Sequence, residues 1–194
     1  MHEVGPVRVP EANSGSDLEG VSMPKILQQT GGDVVEVILA DHRWFEEALR
    51  ELRDVQADRA AVLADLATVL IAHAEAEESK VYPSLRKKNA IDADEVEHSE
   101  HEHDEGNEAL LALMEVSDTA SEEFSDKTHE LSEALSHHLD EEERDVLNPA
   151  RTDVSADDRA KLGEAFAAER ARLIESGCGS IENVRELVEK AKKD

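Results

Sequence analysis

A single cysteine stands among 194 residues, which excludes a disulfide framework and any cysteine-rich zinc module. Bases are scarce: 21 Lys and Arg against 47 Asp and Glu leave a net charge of −26. A phosphate backbone or an anionic membrane would repel such a chain, so neither nucleic acid nor membrane is an expected partner. No run approaches the length of apolar residues needed to span a bilayer. The first twenty residues, MHEVGPVRVPEANSGSDLEG, lack the hydrophobic stretch of a secretory signal. The expectation is a soluble, cytoplasmic, acidic protein, and the mutual repulsion of its charge favours a monomer. Aromatics make up only 3% of the chain, and against that background nine histidines stand out.

Strand-type alternation is absent, and the helical period dominates. Residues 1–30 carry Gly, Pro, Ser and acids without a period, and read as a disordered tail. Ile38, Leu39, Phe45, Leu49 and Leu52 predict a first helix over 33–54. Leu63, Leu66, Leu70 and Val81 mark a second over 58–82, with Pro83 following its end. A third opens near Asp92, with Glu95 as its capping partner, and runs to about Val116. A fourth, read from Phe124, Thr128, Leu131 and Leu135, starts near Ser121 and reaches Val146, just before Pro149. Short polar connections between long amphipathic helices predict an all-α, up-down-up-down four-helix bundle over 31–150. A C-terminal helical extension occupies 151–194: a helix capped by Ser155 through Ile174, a break at SGCGS, and a charged helix over 181–192.

The histidines fall on the apolar stripes. His42 belongs to the series 38, 42, 45, 49, 52; His73 to 63, 66, 70, 73, 77, 81; His138 to 124, 128, 131, 135, 138, 142. On the third helix the core direction is set by Leu110, Leu113 and Met114, and His103 lies about 20° from it. His98 sits at the margin, either on the surface or as a fifth inward nitrogen, and His101 points to solvent. His129 and His137 read as surface residues. Glu77 and Glu142 follow His73 and His138 at i, i+4, on the same faces. A buried carboxylate is costly unless paired or metal-bound. A lone histidine on such a stripe is usually a satisfied core residue. For a stripe ~100° wide, one lands there by chance about 0.3 of the time, so four together with two acids point elsewhere. Four imidazoles and two carboxylates make the donor set of a dinuclear metal site in a bundle core, with bridging carboxylates holding two cations together.

Glu78 and Glu143, flanking the in-phase acids, read as solvated or hydrogen-bonding groups in preference to ligands. Tyr82, five residues after Glu77, is off the stripe and reads as bundle-end packing. Gly106, one turn after His103, is either a tolerated weak position or a clearing for a small ligand beside the metals. Cys178, in the glycine-rich break, reads as a spectator thiol. The fourth helix has one more residue between His138 and Pro149 than the second has between His73 and Pro83, which predicts a bulge at its end.

The segments DHRWFEEAL, HAEAEESKVYPSL, EHDEGNEALLAL and HHLDEEERDVLNPA resemble the four helices of a hemerythrin-like (HHE cation-binding) domain over about residues 33–150. The extension over 151–194 is similar to those of bacterial, actinobacterial-type members. The resemblance implies a non-haem di-iron centre with an oxo or hydroxo bridge, held by His42, His73, Glu77, His103, His138 and Glu142. Glu77 and Glu142 would bridge. The pattern departs from the animal oxygen carriers, which have a histidine pair on the third helix and H-x-x-x-x-D on the fourth. That departure turns the expectation from simple oxygen carriage towards the sensing of oxygen or iron, nitric-oxide response and peroxide handling. Two readings follow: catalase-like decomposition of peroxide with no catalytic group beyond the metal ligands, or non-enzymatic binding and sensing of O₂, NO or iron. The small-molecule ligand would be O₂, H₂O₂ or NO. A single ligand cluster argues against metal storage.

Overall fold

The computed structural model describes residues 31–193. The tail expected over 1–30 lies outside them. Among the described residues the chain is helical and contains no strand. Four long helices form the bundle: α1 (Val34–Leu52), α2 (Arg59–Ala76), α4 (Ala93–Met114) and α5 (Glu122–Glu142). Short segments α3 (Tyr82–Lys87) and α6 (Asn148–Asp153) prolong α2 and α5. Each long helix begins at a side chain that accepts an otherwise unpaired backbone N–H: Asp33 from Val35, Asp58 from Ala61, Asp92 from Glu95 and Ser121 from Phe124. Helix α1 packs on α2, α2 on α4, α4 on α5 and α5 on α1, which closes the up-down-up-down ring.

The core runs along the axis through Ile38, Phe45, Leu66, Leu110, Phe124 and Leu131, all fully buried. Each such side chain contributes roughly 1.5–3 kcal/mol of transfer free energy. Helix α2 is apolar around most of its circumference because it is covered on two sides. Helix α7 (Ala156–Glu175) lies across α1 and α2, and α8 (Ile181–Ala191) packs along α4. The docking of the extension is close. A Cβ at Gly163 would stand 2.1 Å from the Gly32 carbonyl oxygen, and one at Gly179 would stand 2.4 Å from Thr68 Cα, so both crossings require glycine. Cys178 is buried there, its Sγ donating to the Thr68 carbonyl at 3.5 Å, and burial pushes its pKa up to about 11. A thiol so held stays protonated.

The prolines do not end the helices, contrary to the pattern expected at Pro83 and Pro149. The chain widens into a π-helical turn at Glu77–Val81 and again at Glu143–Leu147, then continues helically through each proline. Tyr82 N–H bonds the Glu77 carbonyl, and Asn148 N–H bonds the Glu143 carbonyl, each five residues back. Proline lacks the donor that an α-helical ladder would need at that position, and the wider turn accommodates its ring. The bulge expected in the fourth helix is present, and the second helix carries one as well. Each wide turn begins six residues before its proline, so the extra residue of the fourth helix lies ahead of the turn.

Candidate metal centre

All six of the predicted inward residues are buried in the middle of the bundle. They converge as two adjoining groups able to hold a metal ion: His42, His73, Glu77 and Glu142, and Glu77, His103 and His138. Glu77 belongs to both. Its Oε1 lies 3.2 Å from His73 Nε2, and its Oε2 lies 3.5 Å from His103 Nε2. Glu142 Oε2 lies 3.1 Å from His42 Nε2 and 3.8 Å from His138 Nε2.

These separations are short, but the atoms do not face one another as hydrogen-bonding partners. His42 Nε2, His73 Nε2, both oxygens of Glu77 and Oε2 of Glu142 are buried without a hydrogen bond. Orphaned polar atoms at this depth cost on the order of 1–3 kcal/mol each, and more for charged groups. Lone pairs that converge on shared points are what a cation requires.

The outer nitrogens hold each ring with Nε2 turned inward: His42 and His73 Nε2 are left unpaired, and His103 and His138 Nε2 lie 3.1 Å apart. Each histidine donates its Nδ1–H to a carboxylate: His73 to Asp41 at 3.0 Å, His42 to Glu143 at 3.0 Å, His103 to Glu78 at 2.8 Å and His138 to Glu102 at 3.1 Å. Such a bond fixes the tautomer, aims Nε2 inward and raises its basicity as a ligand. The four bonds also form a circuit. The acid comes from α1 for α2, from the wide turn after α2 for α4, from α4 for α5, and from the wide turn after α5 for α1. Glu78 and Glu143 are therefore hydrogen-bonding partners of the histidines, and both side chains stay partly exposed.

Three participants escaped the sequence pattern. Asp41 and Glu102 immediately precede His42 and His103, about 100° off each stripe, and serve a histidine on a neighbouring helix. Arg170, on α7, is fully buried and pairs with the Asp41 carboxylate. Tyr82 requires a correction. It is fully buried, and its hydroxyl donates to Glu142 Oε1 at 3.2 Å and lies 3.4 Å from His103 Nε2. In a π-helical turn residues five apart share a face, so the wide turn brings Tyr82 back under Glu77.

His98 does not turn into the buried cluster. It lies on the outer side of α4, half exposed, beside Glu141. His101, His129 and His137 are exposed, each within reach of an acid one turn on. Gly106 borders a small pocket of about 10 Å³ lined by Phe45, Leu70, Leu135 and Leu139 together with His73, His103 and His138. A Cβ at Gly106 would meet only Leu135 Cδ2, at 3.6 Å. The pocket has room for about one water-sized molecule.

Burial alone would lower the histidine pKa values. For His73 the Glu77 charge and the Asp41 bond more than offset it, raising the value to about 10. His103 is likewise lifted to about 10, against burial, by Glu77 and Glu78, and His42 is raised by Glu142 and Glu143. Burial would raise the Glu77 pKa, but His73 and His103 hold it well below the usual carboxylate range. Burial and the nearby Glu142 charge push Tyr82 well above the ordinary phenol value, so its proton stays on the hydroxyl.

Without metal, protons on His73 and His103 thus balance the buried acids. Groups raised from 6.5 to about 10 contribute stability that is complete below about 6.5 and lost as pH rises through about 10. The metal-free protein is therefore expected to melt at progressively lower temperature across that window. The metal-loaded protein, in which a cation replaces those protons, is expected to keep its Tm. Paired thermal melts check this, and parallel curves for the two forms would contradict it.

Residues 33–150 match the model of the Hemerythrin HHE cation binding domain, well over half of the chain. No curated protein and no solved structure gives a match.

Proposed function

The chain belongs to the hemerythrin HHE cation-binding family, and from that premise we propose that it is a di-iron protein that binds or processes O₂, peroxide or NO. The observation that carries the reading is the set of buried, unpartnered donor atoms on His42, His73, Glu77 and Glu142, with Glu77 common to both groups. The proposed ligands are these four residues with His103 and His138. Two iron ions bound there would supply reversible electron transfer to a small oxygen- or nitrogen-containing molecule. The four Nδ1 carboxylates orient the imidazoles. Tyr82 holds a proton on its hydroxyl beside Glu142, a donor within the site. Phe45, Leu70, Leu135 and Leu139 exclude bulk water from the pocket and limit its occupant to a few atoms.

The pocket size supports a diatomic or peroxide ligand in preference to any organic substrate. Among the described residues no helix is long and apolar enough to cross a membrane, and Val55 is the one large apolar side chain that is exposed. Both features fit the proposal of a cytoplasmic monomer.

Metal analysis with visible absorption, followed by addition of hydrogen peroxide with oxygen recorded, tests the reading. About two irons per chain with sustained oxygen release supports peroxide decomposition at such a centre. Iron without turnover supports gas binding or sensing, and failure to hold iron after reconstitution overturns the proposal. Gly106→Ala, whose methyl group takes up the water-sized space and would meet only Leu135 Cδ2 at 3.6 Å, is expected to keep its iron and to bind azide or NO at least about tenfold more weakly. Unchanged affinity in that variant would remove the pocket from the mechanism.

A further inference from the structure

The histidine–acid spacing of the buried site recurs one residue out of phase. On α5, His138 and Glu142 point inward, while His137 and Glu141 repeat the same i, i+4 step on an outer face. On α4, His98 and Glu102 have that step too. Since α4 packs directly on α5, two H-x-x-x-E units meet across one seam, on the solvent side of the buried cluster.

The geometry there is close. His98 Nε2 lies 2.8 Å from Glu141 Oε2 and 3.7 Å from Glu102 Oε1. His137 Nε2 lies 3.5 Å from Glu102 Oε1 and 3.9 Å from Glu141 Oε2. His98, Glu102 and Glu141 form a group able to hold a metal ion, and His137 stands just outside it, near both carboxylates. The Glu102 side chain is only 5% exposed. Its Oε2 accepts from His138, and its Oε1 is buried with no hydrogen bond while facing the two outer imidazoles.

Zinc binds nitrogen and oxygen at about 2.0–2.2 Å, so the edges of its coordination tetrahedron measure roughly 3.4 Å. The three longer contacts are close to that length. The shortest is the His98–Glu141 hydrogen bond, which opens when a cation enters, while Glu141 Oε1 keeps its 2.8 Å pair with Arg144. Two imidazoles disfavour calcium and magnesium, which take oxygen ligands.

We propose that His98, Glu102 and Glu141, completed by His137, form a second, surface site for a zinc-type divalent cation, joined to the buried centre through the shared carboxylate of Glu102. A cation on Oε1 draws charge from Oε2 and weakens its hold on His138 Nδ1–H. His138 then becomes a poorer ligand on its inward side. External zinc would thereby loosen the grip of the buried site on its own metal. The outer site itself does not rest on the di-iron reading; the coupling does.

The full-length, metal-loaded protein is titrated with Co²⁺, whose tetrahedral absorption reports nitrogen and oxygen ligation, and then with Zn²⁺. Wild type is expected to take up a further equivalent of Co²⁺ that Zn²⁺ displaces. His73→Ala, which disrupts the buried cluster, is expected to retain that uptake. The double variant His98→Ala, His137→Ala is expected to lose it with unchanged circular dichroism, both side chains being about half exposed or more. His101→Ala removes an imidazole that has an acid one turn on but no counterpart across the seam, and is expected to change nothing. Equal uptake in the double variant, or an equal loss in His101→Ala, overturns the site. For the coupling, Zn²⁺ is expected to speed release of the buried metal to a chelator in wild type and not in the double variant. An unaltered release rate in wild type overturns the coupling alone.

Discussion

Glu77→Ala is expected to strip the protein of most of its metal, from the proposed two ions per chain to well under one. Glu77 is fully buried, neither of its oxygens has a hydrogen bond, and it is the residue common to both ligand groups. Two divalent cations a few ångströms apart repel each other, and in a site closed to water that repulsion is little screened. On the proposed two-metal reading, an anion shared by the two groups would make double occupancy favourable. Alanine removes it from both groups at once. Glu77→Gln, of the same shape but neutral, separates charge from packing and is expected to hold metal more weakly than wild type but better than alanine. Elemental analysis of the purified variants decides the matter, with circular dichroism confirming that the bundle is intact. Full occupancy with an unchanged spectrum in Glu77→Ala would remove this residue from the site.

Arg170→Met is expected to be the most destabilising single change outside the ligand set. Arg170 reaches from α7 into the bundle, buried, with its guanidinium 5.4 Å from the centre of the Phe166 ring and paired with the Asp41 carboxylate. Methionine preserves much of the volume but leaves the buried Asp41 carboxylate with its His73 bond and without the guanidinium. Breaking a buried pair from one side costs about 3–5 kcal/mol. In a chain of this size that lowers Tm by on the order of 10 °C. Replacing both partners, Arg170→Met with Asp41→Leu, leaves no charge behind and is expected to recover most of the stability. It does not recover metal binding, because His73 Nδ1 has lost its acceptor, a change of roughly 10–100-fold in affinity. Calorimetry and metal titration together should therefore separate the two roles of Asp41. A fall in stability below about 1 kcal/mol for Arg170→Met would mean that the pair contributes little.

The residues whose role depends on one helix were legible in the sequence. Phase alone singled out His42, His73, His103 and His138, because a core-facing position is set by the helical period. The residues whose role depends on two helices were not. Asp41 and Glu102 read as ordinary flanking acids, since each serves a histidine on another helix. Tyr82 was misplaced because the wide turn at Glu77–Val81 breaks the period used to locate it. The proline that signals such a turn also signals a helix end, and the local pattern does not separate the two. Arg170 carries no mark in the extension, because its partner lies far away in the chain. The outer pair of H-x-x-x-E steps was visible residue by residue, but only the packing of α4 on α5 shows that they meet.

The circuit of four Nδ1 bonds has a kinetic consequence. A linear chain of contacts has end members, and a bundle fastened that way can unzip from one seam. Here every helix is both donor and acceptor, so the fastening has no end at which to begin. Sliding any one helix along its neighbours strains two bonds in opposite directions. An ion bound in the centre would leave through a distortion that opens a gap, so the circuit is expected to lengthen the time a bound metal stays.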